Sequence, residues 1–255
     1  MQLQDVRAIV TGGASGLGLA VVESVIAAGG RATILDVNEP AGAQAVARLG
    51  DRAAFIKTDV TSEGTVDQAV QVATASMGGL SLAVSCAGVG WPKRMVGKEG
   101  PMPGEFFRKV IEINLVGTLL VSKAAAAAMQ KNAPNAGGER GAIVMTASVA
   151  AFDGQIGQVA YSASKGGVVG MTLPMARELA AFGIRVVTIA PGLFLTPMMA
   201  ALPQEAQDSL GKQVPFPPRL GNPAEFASLV RQIVENPMLN GETIRLDGAI
   251  RMAPR

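Results

Sequence analysis

Short β-branched runs alternate with longer helical stretches along the whole chain, and few folds accommodate such a rhythm. The runs read as strands are Arg7–Val10, Arg31–Leu35, Ala53–Lys57, Leu82–Ser85, Ala142–Thr146, Arg185–Ile189 and Thr243–Leu246. Between them lie Gly16–Ala28, Glu39–Leu49, Glu63–Met77, Glu105–Gln130, Tyr161–Ala181 and Ala224–Glu235, helical in period or composition. Strand–helix alternation predicts a parallel α/β sheet with helices on both faces. Ser62 stands where a cap for the third helix belongs, and Asn222-Pro223 opens the last one. No repeat or low-complexity linker divides the 255 residues, so residues 1–255 are expected to form a single domain.

Two segments break the rhythm. Residues 89–104 contain Trp91, Pro92, Gly97, Gly100, Pro101, Pro103 and Gly104. Residues 193–219 contain five prolines, with a short helix expected around Pro203–Leu210. Both follow strands, at the edge where open α/β sheets bind ligands. Charged residues are only 16% of the chain, which suits a protein that covers surface in an oligomer. The net charge of +2 and the lack of a basic run give no sign of nucleic-acid binding. The apolar region Val110–Met129 contains Glu112, Asn114 and Lys123, so no membrane span is expected. No targeting segment is read at the start, and a reducing compartment is expected, cytoplasm or mitochondrial matrix. With no histidine and one cysteine, Cys86, the usual zinc ligands are missing and no metal site is expected.

The first strand runs into Thr11-Gly12-Gly13-Ala14-Ser15-Gly16-Leu17-Gly18 and then a helix. Glycines let a backbone turn sharply toward a pyrophosphate, and the helix N-terminus supplies free N–H groups. Tight strand-to-helix packing is the other reading of the same glycines. Asp36 ends the second strand about 20 residues later, where a carboxylate accepts hydrogen bonds from an adenosine ribose. It would repel a 2′-phosphate, and no Arg or Lys stands in the loop to offset it, so NAD is expected over NADP. Asp59-Val60 end the third strand; Asp59 either reaches the adenine or caps the following helix.

Histidine is the usual proton carrier near neutral pH, and this chain has none. Its one tyrosine, Tyr161, precedes Lys165 by one helical turn, so both face one groove. A free tyrosine has a pKa of about 10, and a nearby ammonium favours the phenolate. Tyr161 is therefore expected to take the proton of a substrate alcohol while hydride leaves its carbon. Ser148, at the end of the fifth strand, is expected to hold the substrate oxygen.

Taken in order, Thr11–Gly18, Asp36, Asp59, Cys86-Ala87-Gly88, Asn114, Ser148, Tyr161-x-x-x-Lys165 and Pro191-Gly192 resemble the classical short-chain dehydrogenase/reductase family. The resemblance implies a Rossmann-type doubly wound sheet of seven strands. It implies cofactor contacts from Gly12, Ser15, Gly16, Leu17, Gly18, Asp36, Asp59, Val60, Cys86, Ala87, Gly88, Pro191, Gly192 and Thr196. Tyr161 and Lys165 join them, with Lys165 on the nicotinamide ribose and Asn114 holding a water that links Lys165 to solvent. Thr146–Phe152, Tyr161–Met171, Ile189–Phe194 and Asn240–Met252 look like the type II 3-hydroxyacyl-CoA dehydrogenase branch, also called 17β-hydroxysteroid dehydrogenase type 10. That branch implies NAD-linked oxidation of 3-hydroxyacyl-CoA by a homotetramer. A hydroxysteroid or other alcohol dehydrogenase is the alternative, followed by a 3-oxoacyl-carrier-protein reductase and a non-catalytic NAD-binding scaffold.

Two residues depart from the broad family. Cys86 stands where asparagine is common and is expected to be packed rather than nucleophilic. Pro174 lies inside the helix that begins near Tyr161 and is expected to kink it. The apolar residues Leu193, Phe194, Leu195, Met198, Met199 and Leu202 read as a lid over an acyl chain or as an oligomer contact. Lys93, Arg94 and Lys98 suit the phosphates of a CoA thioester, with Lys98 as a substrate contact, or an ordinary solvated loop.

Overall fold

The computed structural model describes residues 1–254, and of Met198 only the backbone. The first half runs β1 (Arg7–Thr11), α1 (Gly16–Ala27), β2 (Arg31–Asp36), α2 (Glu39–Leu49), β3 (Ala53–Lys57), α3 (Glu63–Met77) and β4 (Leu82–Ser85). A two-rung ladder follows, β5 (Val96–Gly97) with β6 (Gly100–Pro101). Then come α4 (Gly104–Ile111), a π-helical stretch Glu112–Val116, α5 (Gly117–Met129) and β7 (Gly141–Thr146). The chain continues through α6 (Val159–Leu179), β8 (Ile184–Pro191), the short helices α7 (Pro197–Ala200) and α8 (Gln204–Gly211), α9 (Pro223–Glu235) and β9 (Thr243–Leu246).

Seven strands form one parallel sheet in the order β3-β2-β1-β4-β7-β8-β9. Every residue of β7 and β8 is buried, so these strands read as continuous apolar runs rather than alternating ones. Their side chains feed two cores. Val10, Ile34, Val84, Val144 and Ile189 pack with α1 and α9 on one face. Ile9, Leu35, Ala83, Ile143 and Val186 pack with α3, α5 and α6 on the other. The stretch Gly104–Met129 is long and apolar enough to cross a membrane by length and composition. Here it lies on the sheet, with its interior polar groups satisfied locally: Thr118 donates to the Asn114 carbonyl and Ser122 to the Thr118 carbonyl.

Three local expectations meet different outcomes. Asn222 caps α9 in a full capping box, its side chain accepting from the Ala224 N–H while Glu225 accepts from the Asn222 N–H. Ser62 occupies the cap position of α3, but its oxygen bonds the Thr65 hydroxyl and leaves the helix N–H groups to other partners. Pro174 deletes one rung of α6 without ending it, since the helix is continuous from Val159 to Leu179. At the far end of α9, buried Arg185 donates to the carbonyls of Ile233 and Val234, satisfying terminal acceptors that a helix leaves open.

Arg219 and then the Asn222 N–H hold the Glu225 carboxyl down to about 2. The small stabilisation from this exposed pair is present above the usual 4.5 and is lost as pH falls toward 2. Asn222→Ala is expected to lower unfolding stability by about 1 kcal/mol. A urea titration with an unchanged slope and a lower midpoint would show it; an unmoved midpoint would mean the box contributes nothing.

Candidate active site

β1 and β4 are neighbours, yet the chain leaves them toward opposite ends of the sheet, which opens a crevice at their C-terminal tips. The strand ends are drawn together there. Thr11 Oγ1 accepts from the Ala87 N–H at 3.2 Å, and the Thr11 carbonyl accepts from Cys86. Gly12 has φ +63°, and a Cβ on it would lie 2.8 Å from the Ala87 nitrogen. A Cβ on Gly18 would collide with the Gly12 carbonyl oxygen. These glycines permit close backbone packing, and the same packing leaves a cradle at the strand tips. Ser15 precedes α1 in an extended conformation and its side chain makes no capping bond, so the first N–H groups of α1 have no side-chain partner there.

A cavity of about 990 Å³ opens from this cradle. Ser15, Gly16, Leu17 and Thr196 line one side, and Cys86, Ala87 and Gly88 another. Asp36, Asp59 and Val60 stand at the far wall. The Asp36 carboxylate is held by the N–H groups of Ala14 (3.2 Å) and Asn38 (3.0 Å), so it ties the glycine loop to β2. Asp59 accepts from the Thr61 N–H and hydroxyl, an Asx turn ahead of α3 rather than a helix cap. A dinucleotide's pyrophosphate fits the glycine cradle and the α1 terminus, and its adenosine ribose fits beside Asp36.

Ser148, Tyr161 and Lys165 gather past Gly88. The Ser148 hydroxyl lies close enough to the Tyr161 hydroxyl to influence it, and Ser148 Oγ accepts from the Ala150 N–H. Lys165 is buried, and its ammonium donates to the Thr146 carbonyl at 2.7 Å. That ammonium lies 5.9 Å from the Tyr161 ring centre. Burial pushes Tyr161 up and outweighs the nearby Ser148 hydroxyl, which pulls it down. Burial, rather than the Lys165 ammonium, sets the direction of the shift here. Burial also pushes Lys165 down, from the usual 10.5 to about 8, against the opposing influence of Cys86. Cys86 is itself pushed up to about 11 by burial, with its thiol against the Thr146 hydroxyl, so it is a packed neutral thiol.

Asn114 is fully buried in the π-helical stretch. Its amide accepts from the Val89 N–H and donates to the Val89 carbonyl and to Ser164 Oγ. A Cβ on Gly88 would lie 3.1 Å from Asn114 Oδ1 and 3.6 Å from Lys165 Nζ, so Gly88 keeps open the space between them.

Other expected residues lie elsewhere. Gly192 is pressed against Asp247 and Ile250 at the end of β8, and neither it nor Pro191 is part of the cavity wall. Phe194 belongs to the core, stacked on Gly221, and is no lid residue. Leu195 and Leu202 are exposed and remain available as lid, while the Met198 side chain lies outside the described residues. Lys98 is exposed in the turn between β5 and β6, and among the described residues no hydrogen bond or ion pair brings it to Ser148 or Tyr161. Lys93 instead sits 5.6 Å from the Phe106 ring centre and Lys109 the same distance from Trp91. Glu105, Arg108, Lys109 and Glu112 line the cavity without having been singled out in the sequence. Their helical spacing, one face of one helix, is the signal that finds them.

A doubly wound sheet, a glycine cradle at its switch point and a Ser–Tyr–Lys cluster beside it define a nicotinamide-dependent dehydrogenase. Residues 7–207 match the family model for short chain dehydrogenase, and the chain belongs to that family. The 3-hydroxyacyl-CoA dehydrogenase type-2 of Homo sapiens is 52% identical over 249 residues, covering 97% of this chain and 95% of that one. Its Drosophila melanogaster counterpart is 51% identical over 254 residues, covering 99% and 100%. The crystal structure of 3-hydroxyacyl-CoA dehydrogenase type-2 from Mycobacterium avium superposes with a TM-score of 0.94 at 43% identity, covering 99% of both chains.

A buried ammonium destabilises the fold while it is charged. For Lys165 that penalty is complete below about 8 and is relieved as pH rises from there toward 10.5, because the unfolded chain then binds the extra proton. Lys165→Met should therefore raise stability by about 1–2 kcal/mol at neutral pH, after allowing for the lost Thr146 bond. The gain should vanish near the upper end of that range. Melting curves without added cofactor test this; a destabilised variant at neutral pH would overturn it.

Proposed function

We propose that the protein is an NAD-dependent dehydrogenase interconverting 3-hydroxyacyl-CoA and 3-oxoacyl-CoA thioesters as a homotetramer. The grouping of Ser148 and Tyr161 beside buried Lys165, next to a dinucleotide cradle, carries the reading. The names of the relatives support the substrate class. Asp36 supports NAD, since its carboxylate would meet a 2′-phosphate with like charge. Exposed Leu119 on α5 and Leu173 on α6 are apolar surface of the kind a tetramer covers.

NAD, when bound, would supply the hydride acceptor, and its positive ring would favour the phenolate. In oxidation, Ser148 donates to the substrate oxygen and holds it at Tyr161, whose oxygen takes the hydroxyl proton as the C3 hydrogen departs as hydride. In reduction Tyr161 returns that proton. Lys165, whose ammonium lies 5.9 Å from the Tyr161 ring centre, would hold the nicotinamide ribose and stabilise the phenolate as it forms. The space kept by Gly88, between Lys165 and Asn114, suits a water that passes the proton outward. Lys93, Arg94 and Lys98, on the loop after β4, would meet the phosphates of CoA.

Tyr161→Phe is expected to lower the rate of acetoacetyl-CoA reduction, followed by NADH absorbance, by about a hundredfold or more. Its melting temperature and NADH affinity should stay as in the wild type. Near-normal turnover would refute the proton-transfer role, and faster turnover of sterols or simple alcohols than of acyl-CoA would favour an alcohol dehydrogenase. Asp36→Ala should weaken NADH about tenfold, roughly the contribution of hydrogen bonds to a charged group, and narrow the preference over NADPH. An unchanged NADH to NADPH ratio would remove Asp36 as the selector.

A further inference from the structure

The C-terminal end of the sheet reaches into the active site from behind. Arg245, on β9, is partly buried and uses most of its guanidinium. It donates to Asp153 Oδ2 at 2.5 Å, to Asp247 Oδ2 at 2.7 Å and to the Ile250 carbonyl at 2.9 Å. Its carbon lies 5.1 Å from the Phe152 ring centre. Phe152 and Asp153 are not free to move alone. Their N–H groups both bond the Val149 carbonyl, and Ala151 bonds the carbonyl of Ser148. Ser148 to Asp153 is thus one tight turn, with the substrate-facing serine at one end and the arginine's partner at the other.

The segment beyond β9 closes the brace. Asp247 accepts from the Ala249 N–H and from Arg251, and its backbone packs on Gly192. Gly248 lies against Val214 and Phe216, and its carbonyl accepts from the Phe216 N–H. Ala249 has φ +68°, and among the described residues it is the one non-glycine in the left-handed region. Such a conformation persists where surrounding contacts determine it. One turn therefore touches the serine segment, the end of β8 and the segment after α8.

We infer that Arg245 is a positioning residue for the dehydrogenase reaction: through Asp153 it fixes the Ser148 turn so that the serine hydroxyl meets Tyr161. This rests on the reading that Ser148 and Tyr161 carry the chemistry. Arg245 touches neither substrate nor cofactor in this scheme; it acts through the turn. A serine displaced by about 1 Å is enough to lose two orders of magnitude in rate.

The test uses Asp153→Asn, Arg245→Met, their combination and Arg245→Lys in the full chain, with acetoacetyl-CoA and NADH. Asp153→Asn and Arg245→Met should each lower kcat per NADH-binding site about ten- to a hundredfold, with KM for NADH within about twofold of wild type. The double variant should be no slower than the slower single one, because both remove the same link. Arg245→Lys, which keeps the charge but not the fork, should recover part of the loss. Deuterated NADH should give a larger isotope effect in the slow variants, as the misaligned chemical step becomes limiting; a protein merely less stable would keep the wild-type value. Should Arg245→Met fail to fold, Asp153→Asn decides alone, since it leaves the Arg245–Asp247 pair intact. A kcat within about twofold of wild type in Asp153→Asn, or an unchanged isotope effect, overturns the inference. Tyr161→Phe run beside them separates the two readings: if it is active, the proton-transfer assignment fails, and if it is inert while Asp153→Asn is normal, only the role of Arg245 fails.

Discussion

The backbone crossing at Gly12 and Ala87 is the constraint on which the site depends. β1 and β4 come so close at their tips that a single Cβ would part them. With nothing between the strands, α1 must begin where β1 ends, and the Cys86–Val89 stretch must bend the other way. The cradle for a dinucleotide is the space these two departures leave. Asp36 then ties the glycine loop to β2, so the groove's phosphate and ribose ends are set by one continuous set of backbone contacts.

The second half of the site is governed by burial. Lys165 is enclosed, and among the described residues only the Thr146 carbonyl receives its ammonium, while Tyr161 stands near Ser148. Enclosure raises the phenol, lowers the ammonium and raises the Cys86 thiol, each away from its charged form. Proximity of opposite charges would work the other way, and here it is the smaller influence. The chain thus holds groups whose protonation changes lie on the alkaline side of neutrality, consistent with chemistry done without histidine. A fold that buries an ammonium at its centre accepts lower stability for that function.

Much of this was legible in the sequence because it is local. Short, largely apolar runs mark the strands, and β1, β2, β4, β7 and β8 are buried enough to show little polar alternation. Asp36 and the Tyr161–Lys165 spacing are readable for the same reason: strand end and helical turn are short-range geometry. What was missed depends on pairings far apart in the chain. Phe194 looks like its lid neighbours until Gly221 is laid under its ring. Asp153 and Arg245 are separated by 92 residues, and neither lies in a motif. Glu105, Arg108, Lys109 and Glu112 share one helical face, a short-range pattern, but charged residues at that spacing are equally the mark of a solvated face.

The π-helical stretch Glu112–Val116 changes what that helix can do. A wider turn takes in one extra residue and so rotates everything after it relative to everything before. The segment ahead of it shows the cavity its charged face; the segment behind it lays Val121, Ala125 and Met129 on the sheet. Asn114 sits at the join and faces inward. The five residues act as a phase shifter between two surfaces that no straight helix of this sequence would satisfy together. Length is therefore fixed there as strictly as in any strand: one residue more or fewer would turn Asn114 away from Val89 and Ser164, even though the apolar pattern on either side would look intact.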